Sequence, residues 1–524
     1  MTSSPLTATR ANSASVATRA NSAGAASVAN PTDVPSTPTA AARAGHSGRS
    51  GPRVAITSLF VAATLAACAV GPNYKKPETP VAPTYGAAEP AIYTSEQAQV
   101  QFWKQFGDPT LDKLVDDSLN ANHDLRIAVG RLAEARAARH QSLYDLAPTV
   151  TATGGHTTQK FPTVQTGFPF TASYYDAGFD ATWELDLFGR VRRGVEASND
   201  QLQGAEANLH DAQVSVIAEV ARTYFELRGE QNELAVAKRN VENQQSTFQL
   251  TDARLKAGRG TEFDTSRASA QLSTTLATID PLEASVQRSI HRLSVLTGRD
   301  PNALQGLLSP AANLPELPKT LAVGDPGAML RRRPDIRVAE RQLASSSAEI
   351  GVAVGDYFPK VTFTGSFGYD AASLNGLGTS ASKAYSIGPG ISWAAFDLGR
   401  VHARVAGAKA RNSTALAQYE QTVLKALEET ENALVTHARA RDQLVHAADA
   451  AQSSAAAAKL ARVRYEGGII DFLEVLDAER TQLVAEDQLA QTRTATATSL
   501  IAVYKALGGG WEGAPFPRYT QASN

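Results

Sequence analysis

The stretch YYDAGFDATWELDL, Tyr174 to Leu187, decides how this chain is to be folded. Drawn out as a strand, it puts Tyr175, Ala177, Phe179, Ala181, Trp183, Leu185 and Leu187 on one face. Asp176, Gly178, Asp180, Thr182, Glu184 and Asp186 lie on the other. A period of two marks an extended chain. One apolar and one acidic face, held over this length, is the pattern of a strand that separates lipid from water. A soluble sandwich alternates too, so the choice between them rests on how many such strands the chain holds.

Working outward, the pattern returns once in a second half of the sequence. Val361, Phe363, Phe367 and Tyr369 share a side, opposite Thr362, Thr364, Ser366, Gly368 and Asp370. Residues 385–395 alternate through Tyr385, Ile387, Ile391 and Trp393, although Pro389 weakens that strand, and residues 149–158 alternate least well. The return is part of a larger duplication. LAPTVTATGG (146–155) reappears as YFPKVTFTGS (357–366), and ELDLFGRVRRGVEAS (184–198) as AAFDLGRVHARVAGA (394–408). ARLKAGRGTEFD (253–264) reappears as VRYEGGIIDFLE (463–474), always at an offset of 210 or 211 residues. So long a period is a doubled half-chain and not a short solenoid unit. Proline-rich LSPAANLPELPKT (308–320) joins the halves.

Two candidate strands per half make four per chain. Four strands cannot close a barrel and would leave open edges in lipid. Three chains would supply twelve, within the range of membrane barrels.

Between the strands lie segments that ask for neighbours of another kind. Residues 189–257 contain no proline, and a helix of that length spans roughly 100 Å. Leu202, Leu209 and Val216, then Leu227, Leu234, Val241, Phe248 and Leu255, recur every seven residues with one four-residue stutter between the sets. Leu272, Ile279, Val286 and Leu293 keep the same spacing on the way back, where Pro281 should kink the helix. Leu476, Leu483, Ala490, Ala497 and Tyr504 do so in the second half. Heptads on antiparallel helices predict coiled coils whose narrow seams one chain cannot fully cover. The helix and strand patterns call for the same remedy, a homotrimer.

Composition sets the remaining bounds. Charges nearly cancel at a net −2, which argues against nucleic-acid partners. The single cysteine, Cys68, can form neither an internal disulfide nor a multi-thiolate metal site. Residues 1–50 carry no hydrophobic period and read as a disordered leader. Arg49, Arg53 and the apolar run VAITSLFVAATLAAC (54–68) then make a secretory signal. Leu65-Ala66-Ala67-Cys68 resembles the bacterial lipobox. That resemblance implies a lipid-modified Cys68 at the mature N-terminus, and Ala69 after it points to the outer membrane. Several acyl chains there would anchor the protein to a bilayer.

Taken together, CAVGPNYKKP (68–77), FWKQFGDPTLDKLV (102–115), DLFGR (186–190), VLTGR (295–299), RRRPDIRVAERQLA (331–344) and RYEGGIIDFLEVLDAERTQL (464–483) resemble one family. The chain is similar to the TolC-like outer membrane factors of bacterial efflux systems, in particular their NodT/OprM-like lipoprotein branch. The resemblance implies an α+β membrane protein of internally duplicated TolC-like fold. Four β-strands per chain would enter a trimeric 12-stranded β-barrel, continued by a long α-helical coiled-coil barrel across the periplasm. It implies a periplasmic adaptor and an inner-membrane pump as partners, and no cofactor. Gly258, Gly260, Gly467, Gly468 and Tyr465 would then form the periplasmic tip and adaptor contact. Glu474 and Asp477 would form the pore constriction; taken alone they read as the solvated face of a helix start, and it is the motif that favours the pore. Ile470 stands where some members carry an arginine that bonds the closed state.

On this reading residues 1–67 are leader and lipoprotein signal, and 68–105 a lipid-anchored tail lying extended on a surface. Residues 106–300 are the first repeat, with strand pair 148–187 and helical hairpin 189–298. Residues 301–330 are the linker. Residues 331–510 are the second repeat, with strand pair 359–397 and hairpin 399–508, and 511–524 form a C-terminal tail. An enzyme is not expected, because no HExxH, phosphate loop or GxSxG motif is present. The remaining alternative is a coiled-coil lipoprotein acting as a periplasmic scaffold, which would have no use for four amphipathic strands.

Overall fold

A computed structural model describes residues 69–162, 167–512 and 514; Cys68 and the leader before it lie outside the described residues. Strand β1 (Tyr93–Thr94) precedes helices α1 (Pro109–Ala121) and α2 (His123–Tyr144). Strands β2 (Thr149–Phe161) and β3 (Phe170–Leu185) lead into α3 (Arg190–Lys256), which returns as α4 (Glu262–Leu276) and α5 (Ile279–Leu296). The short helix α6 (Gln305–Leu308) and strand β4 (Leu321–Ala322) open the link to the second half. There α7 (Pro326–Arg332) and α8 (Pro334–Gly355) precede β5 (Lys360–Ala371) and β6 (Lys383–Ser392), then α9 (Leu398–Glu466) and α10 (Phe472–Ala506). Helix, strand pair and long helical hairpin thus occur twice in the same order.

Local chemistry sets the boundaries. The Asp108 carboxylate accepts from the amides of Thr110 and Leu111 at 2.8 and 3.3 Å, capping α1 ahead of Pro109. Asn122 caps α2 likewise, accepting from Asp124 and Leu125. Pro334 opens α8, where its missing N–H costs no helical bond. In the first hairpin the returning helix does more than kink: it stops at Leu276 and restarts at Ile279. The ring of Pro281 would collide with the carbonyl of Ala277, four residues back, and the break falls there. The second-half counterpart α10 has no proline and runs unbroken for 35 residues.

The four long strands form one antiparallel sheet in the order β2-β3-β5-β6. The two halves therefore meet at its centre, with Phe179 opposite Phe367, Asp180 opposite Ser366 and Asp176 opposite Asp370. Gly178 faces Gly368, and a Cβ on either would come within 2.7 Å of the other strand's backbone. This register lines up Ala152, Phe179, Phe367 and Tyr385 in one apolar row across all four strands. The weak alternation of 149–158 has a simple cause. On its apolar side β2 sets small residues, Ala152 and Gly154, beside Phe179 and Ala177, so the strand is regular where its composition is not. β6 continues through Pro389 at the sheet edge, where a proline is tolerated.

The largest core lies where the repeats meet away from the sheet. Phe102, Trp103, Leu114, Leu125, Ile217, Phe225, Ile290, Leu308, Leu500 and Leu507 are all buried in it. The segment before residue 105, expected to lie on a surface, contributes Tyr85, Ile92, Tyr93, Phe102 and Trp103 to that core. It also adds β1, which pairs in parallel with β4 of the link. Apolar residues spaced among the prolines leave it no stable place in water.

The coiled-coil seam also differs from expectation. Towards the end of α3 the fully buried positions are Asn240, Gln244, Thr247 and Thr251, at four- and three-residue spacing. Val241, Phe248 and Leu255 are only half-buried. One chain thus encloses a polar row and leaves its apolar heptad partly open.

Candidate functional site

Both long hairpins reverse through the same turn. Gly258 and Gly468 adopt φ values of +69° and +70°, a left-handed conformation that a side chain resists. Neither has an atom near the position of a Cβ, so backbone angle and not crowding asks for glycine there. Arg259 N–H donates to Arg254 O and Ile469 N–H to Arg464 O, each at 2.9 Å or less, closing the two helices identically. Gly260 is placed differently: a Cβ there would sit 3.0 Å from Leu255 N. Gly467 keeps right-handed helical angles.

Tyr465 is buried within a small cluster of Ala268, Phe472, Val475 and Leu476. Ile470 packs at its margin, so the position where an arginine was sought instead adds apolar contact. Above the Tyr465 ring, 4.0 Å from its centre, sits the guanidinium of Arg254 from the first hairpin. Its Nη2 donates to the Tyr465 carbonyl at 2.7 Å and to the Glu466 carbonyl at 3.3 Å. A cation on the last carbonyls of α9 also complements the helix dipole. This side chain thus ties the tips of the two hairpins, beside the apolar cluster that joins Ala268 to Tyr465.

Glu474 and Asp477 stand in the first two turns of α10 on its exposed side. Phe472, Val475, Leu476 and Glu479 are buried on the other side. Neither carboxylate has an ion-pair or hydrogen-bond partner among the described residues. A second set of acids occupies the sheet, where Asp176 and Asp370 face one another and Thr153 donates to Asp180 at 3.1 Å. On the opposite face Phe179, Phe367, Tyr385, Ile387 and Ile391 are between 54 and 80% exposed. Soluble monomers rarely leave a contiguous apolar surface of this kind uncovered.

A scan of protein families finds the outer membrane efflux protein family at residues 114–299 and 326–509, the two repeats and more than half of the chain. The chain belongs to the outer membrane efflux protein family. It is 32% identical to outer membrane protein OprJ of Pseudomonas aeruginosa over 465 residues, covering 88% of this chain and 97% of OprJ. It is 31% identical to the toluene efflux pump outer membrane protein TtgC of Pseudomonas putida over 466 residues, covering 87% of this chain and 96% of TtgC. The solved outer-membrane channel OprN superposes with a TM-score of 0.81 at 46% identity, covering 85% of this chain and all of OprN. The duplicated TolC-like fold follows, and with it the function of an outer-membrane efflux channel.

Within this efflux protein, sequence reasoning passed over a buried polar link just behind the tip. Arg462 Nη2 donates to Glu479 Oε1 at 2.7 Å and meets Thr247 Oγ1 at 2.8 Å, while Thr247 donates to the same carboxylate oxygen at 2.8 Å. It ties α3, α9 and α10 together. A signal was available, since Phe472, Leu476, Glu479 and Leu483 follow four-three-four heptad spacing and put a charge on the seam. Arg254 gave no such signal, because its partners are main-chain carbonyls 211 and 212 residues away.

Proposed function

We propose that three copies of this efflux protein close their sheets edge to edge into a twelve-stranded barrel through the outer membrane. The long hairpins continue it as a helical tunnel into the periplasm. The observation that carries this reading is the sheet itself. It has one broadly exposed apolar face, one acidic face, and a free edge on each of β2 and β6 among the described residues. Free edges are not viable in lipid, and joining β6 of one copy to β2 of the next removes them all. A scaffold lipoprotein would have no reason to carry such a sheet.

The acyl anchor belongs on Cys68. Ala69, the next residue, lies against the junction of β3 and α3: Val70 N–H donates to Phe188 O at 3.0 Å, and Arg193 Nε donates to Val70 O at 3.2 Å. A lipid one residue away would enter the bilayer beside the end of the sheet, where the barrel leaves it. At the far end, the turns at Gly258, Gly260, Gly467 and Gly468 meet the periplasmic adaptor. Tyr465 lies beneath them, and Glu474 and Asp477 line the constriction. Asp176, Asp180 and Asp370 of each sheet, with Glu474 and Asp477 of each constriction, favour cations electrostatically. The chain conducts passively, and the pump behind the adaptor supplies energy and most substrate choice. Small drugs and toxic organic compounds are the proposed cargo, the class named by the toluene efflux relative.

Gel electrophoresis of the membrane fraction with and without boiling tests the assembly. A compact, heat-modifiable species of three chains is expected. A single band at the mass of one chain under both conditions overturns it.

A further inference from the structure

The break between α4 and α5 leaves a cavity of about 430 Å³ walled by α3, α4, α5 and α10. Its size falls in the range of small-molecule sites. Val236, Leu282 and Leu483 provide apolar wall, while Glu233 from α3 and Asp487 from α10 bring two carboxylates to it. No lysine, arginine or histidine lines the cavity. The bases nearest in sequence are engaged outside it, Lys238 with Glu283 at 2.7 Å and Arg239 with Glu486 at 3.4 Å. Burial, then the charges of Asp487 and Glu230, push the Glu233 carboxyl up to about 7. Burial also raises Asp487, against a 2.9 Å hydrogen bond donated by Gln491. Asn240, only 6% exposed, lines the same cavity, and its side-chain amide makes no hydrogen bond among the described residues. The amide is not sealed off from open space and can bond a molecule that enters.

We infer that this cavity binds an amphipathic organic cation: an ammonium or iminium group between Glu233 and Asp487, its apolar body against Val236, Leu282 and Leu483, and a polar atom on Asn240. Two unpaired acids supply the charge that the protein itself leaves uncompensated. The apolar wall disfavours a bare metal ion, which takes six or more oxygens if it is calcium and keeps its waters if it is magnesium. The second repeat lacks the feature, because its returning helix has no break. Among the described residues the site therefore belongs to the first repeat, within the wall of the duct, and does not depend on how the tunnel conducts.

The test uses the full-length protein in lipid nanodiscs and rhodamine 6G as the cationic probe, read by fluorescence anisotropy at pH 8. Saturable binding is expected, weakened about tenfold or more by Glu233→Gln and by Asp487→Asn, as expected for the loss of a charge-assisted contact. Asp449→Asn, at an exposed acid on α9 outside the cavity, should leave affinity unchanged. Binding should also weaken at pH 5.5, where Glu233, facing the charges of Asp487 and Glu230, carries its proton. Glu233→Gln removes a buried repulsion, so it should fold; its melting curve is recorded alongside. Equal affinity in wild type and both cavity variants, or no saturable binding by the wild type because a neighbouring copy fills the space, overturns the inference.

Discussion

Replacing Arg254 by methionine keeps most of the side-chain volume and removes the donors that tie the first hairpin turn to the Tyr465 and Glu466 carbonyls of the second. The loss has three parts. The 2.7 Å bond to the Tyr465 carbonyl is charge-assisted, but Arg254 is only half-buried, so it counts for about 1 kcal/mol and the 3.3 Å bond to Glu466 for less. The guanidinium 4.0 Å from the Tyr465 ring adds roughly 0.5 kcal/mol, and the charge at the end of α9 a few tenths more. Together they make about 2 kcal/mol, close to a thirtyfold change in any equilibrium that parts the tips. Spin labels on cysteines at Arg259 and Ile469, both exposed, report that separation directly. In Arg254→Met the parted population should rise about thirtyfold relative to wild type, with a matching rise in open-channel events in planar bilayers. An unchanged distance distribution would mean that the apolar cluster around Tyr465 alone holds the tips, and the argument from Arg254 would fall.

Three further outcomes follow from single sites. Asp477→Asn should raise conductance or lower cation selectivity in planar bilayers; identical currents would remove that residue from the constriction. His437 is 1% exposed, its Nδ1 is 3.1 Å from Ser499 Oγ, and burial, then the charge of Arg441, hold its pKa down to about 4. The unfolded chain takes up a proton near 6.5 and the folded one does not. Its contribution is therefore complete above that pH and declines by about 2 kcal/mol by pH 5, so His437→Gln should flatten the wild-type drop in melting temperature over that interval. At Gly229 a Cβ would overlap the Thr494 side chain where α3 crosses α10. Gly229→Val should cost about 1–3 kcal/mol in a thermal melt, and Thr494→Ala should recover part of it.

Much of the fold is written in short-range patterns. Alternation from Tyr175 to Leu187 fixes which side of β3 is apolar, and the Gly258 and Gly468 turns are readable because left-handed angles select glycine. What escaped is long-range. The pairing of β3 with β5 joins residues about 190 apart, and nothing in either strand announces its partner. The buried row Asn240, Gln244, Thr247 and Thr251 was hidden because the heptad of larger residues beside it looked like the seam. Pro281 announced a disturbance, but only the packing of α3 and α10 around the break turns it into a cavity. The tip chemistry was half legible: Tyr465 through its motif, Arg254 not at all.

The proposed channel depends on threefold closure of an incomplete wall. Native mass spectrometry of the full-length protein released from nanodiscs measures it most directly. A particle of three chains, lost only when the sheet edges at β2 and β6 are disrupted by proline substitutions, is the predicted result. A stable particle of one chain that keeps its four strands would contradict it.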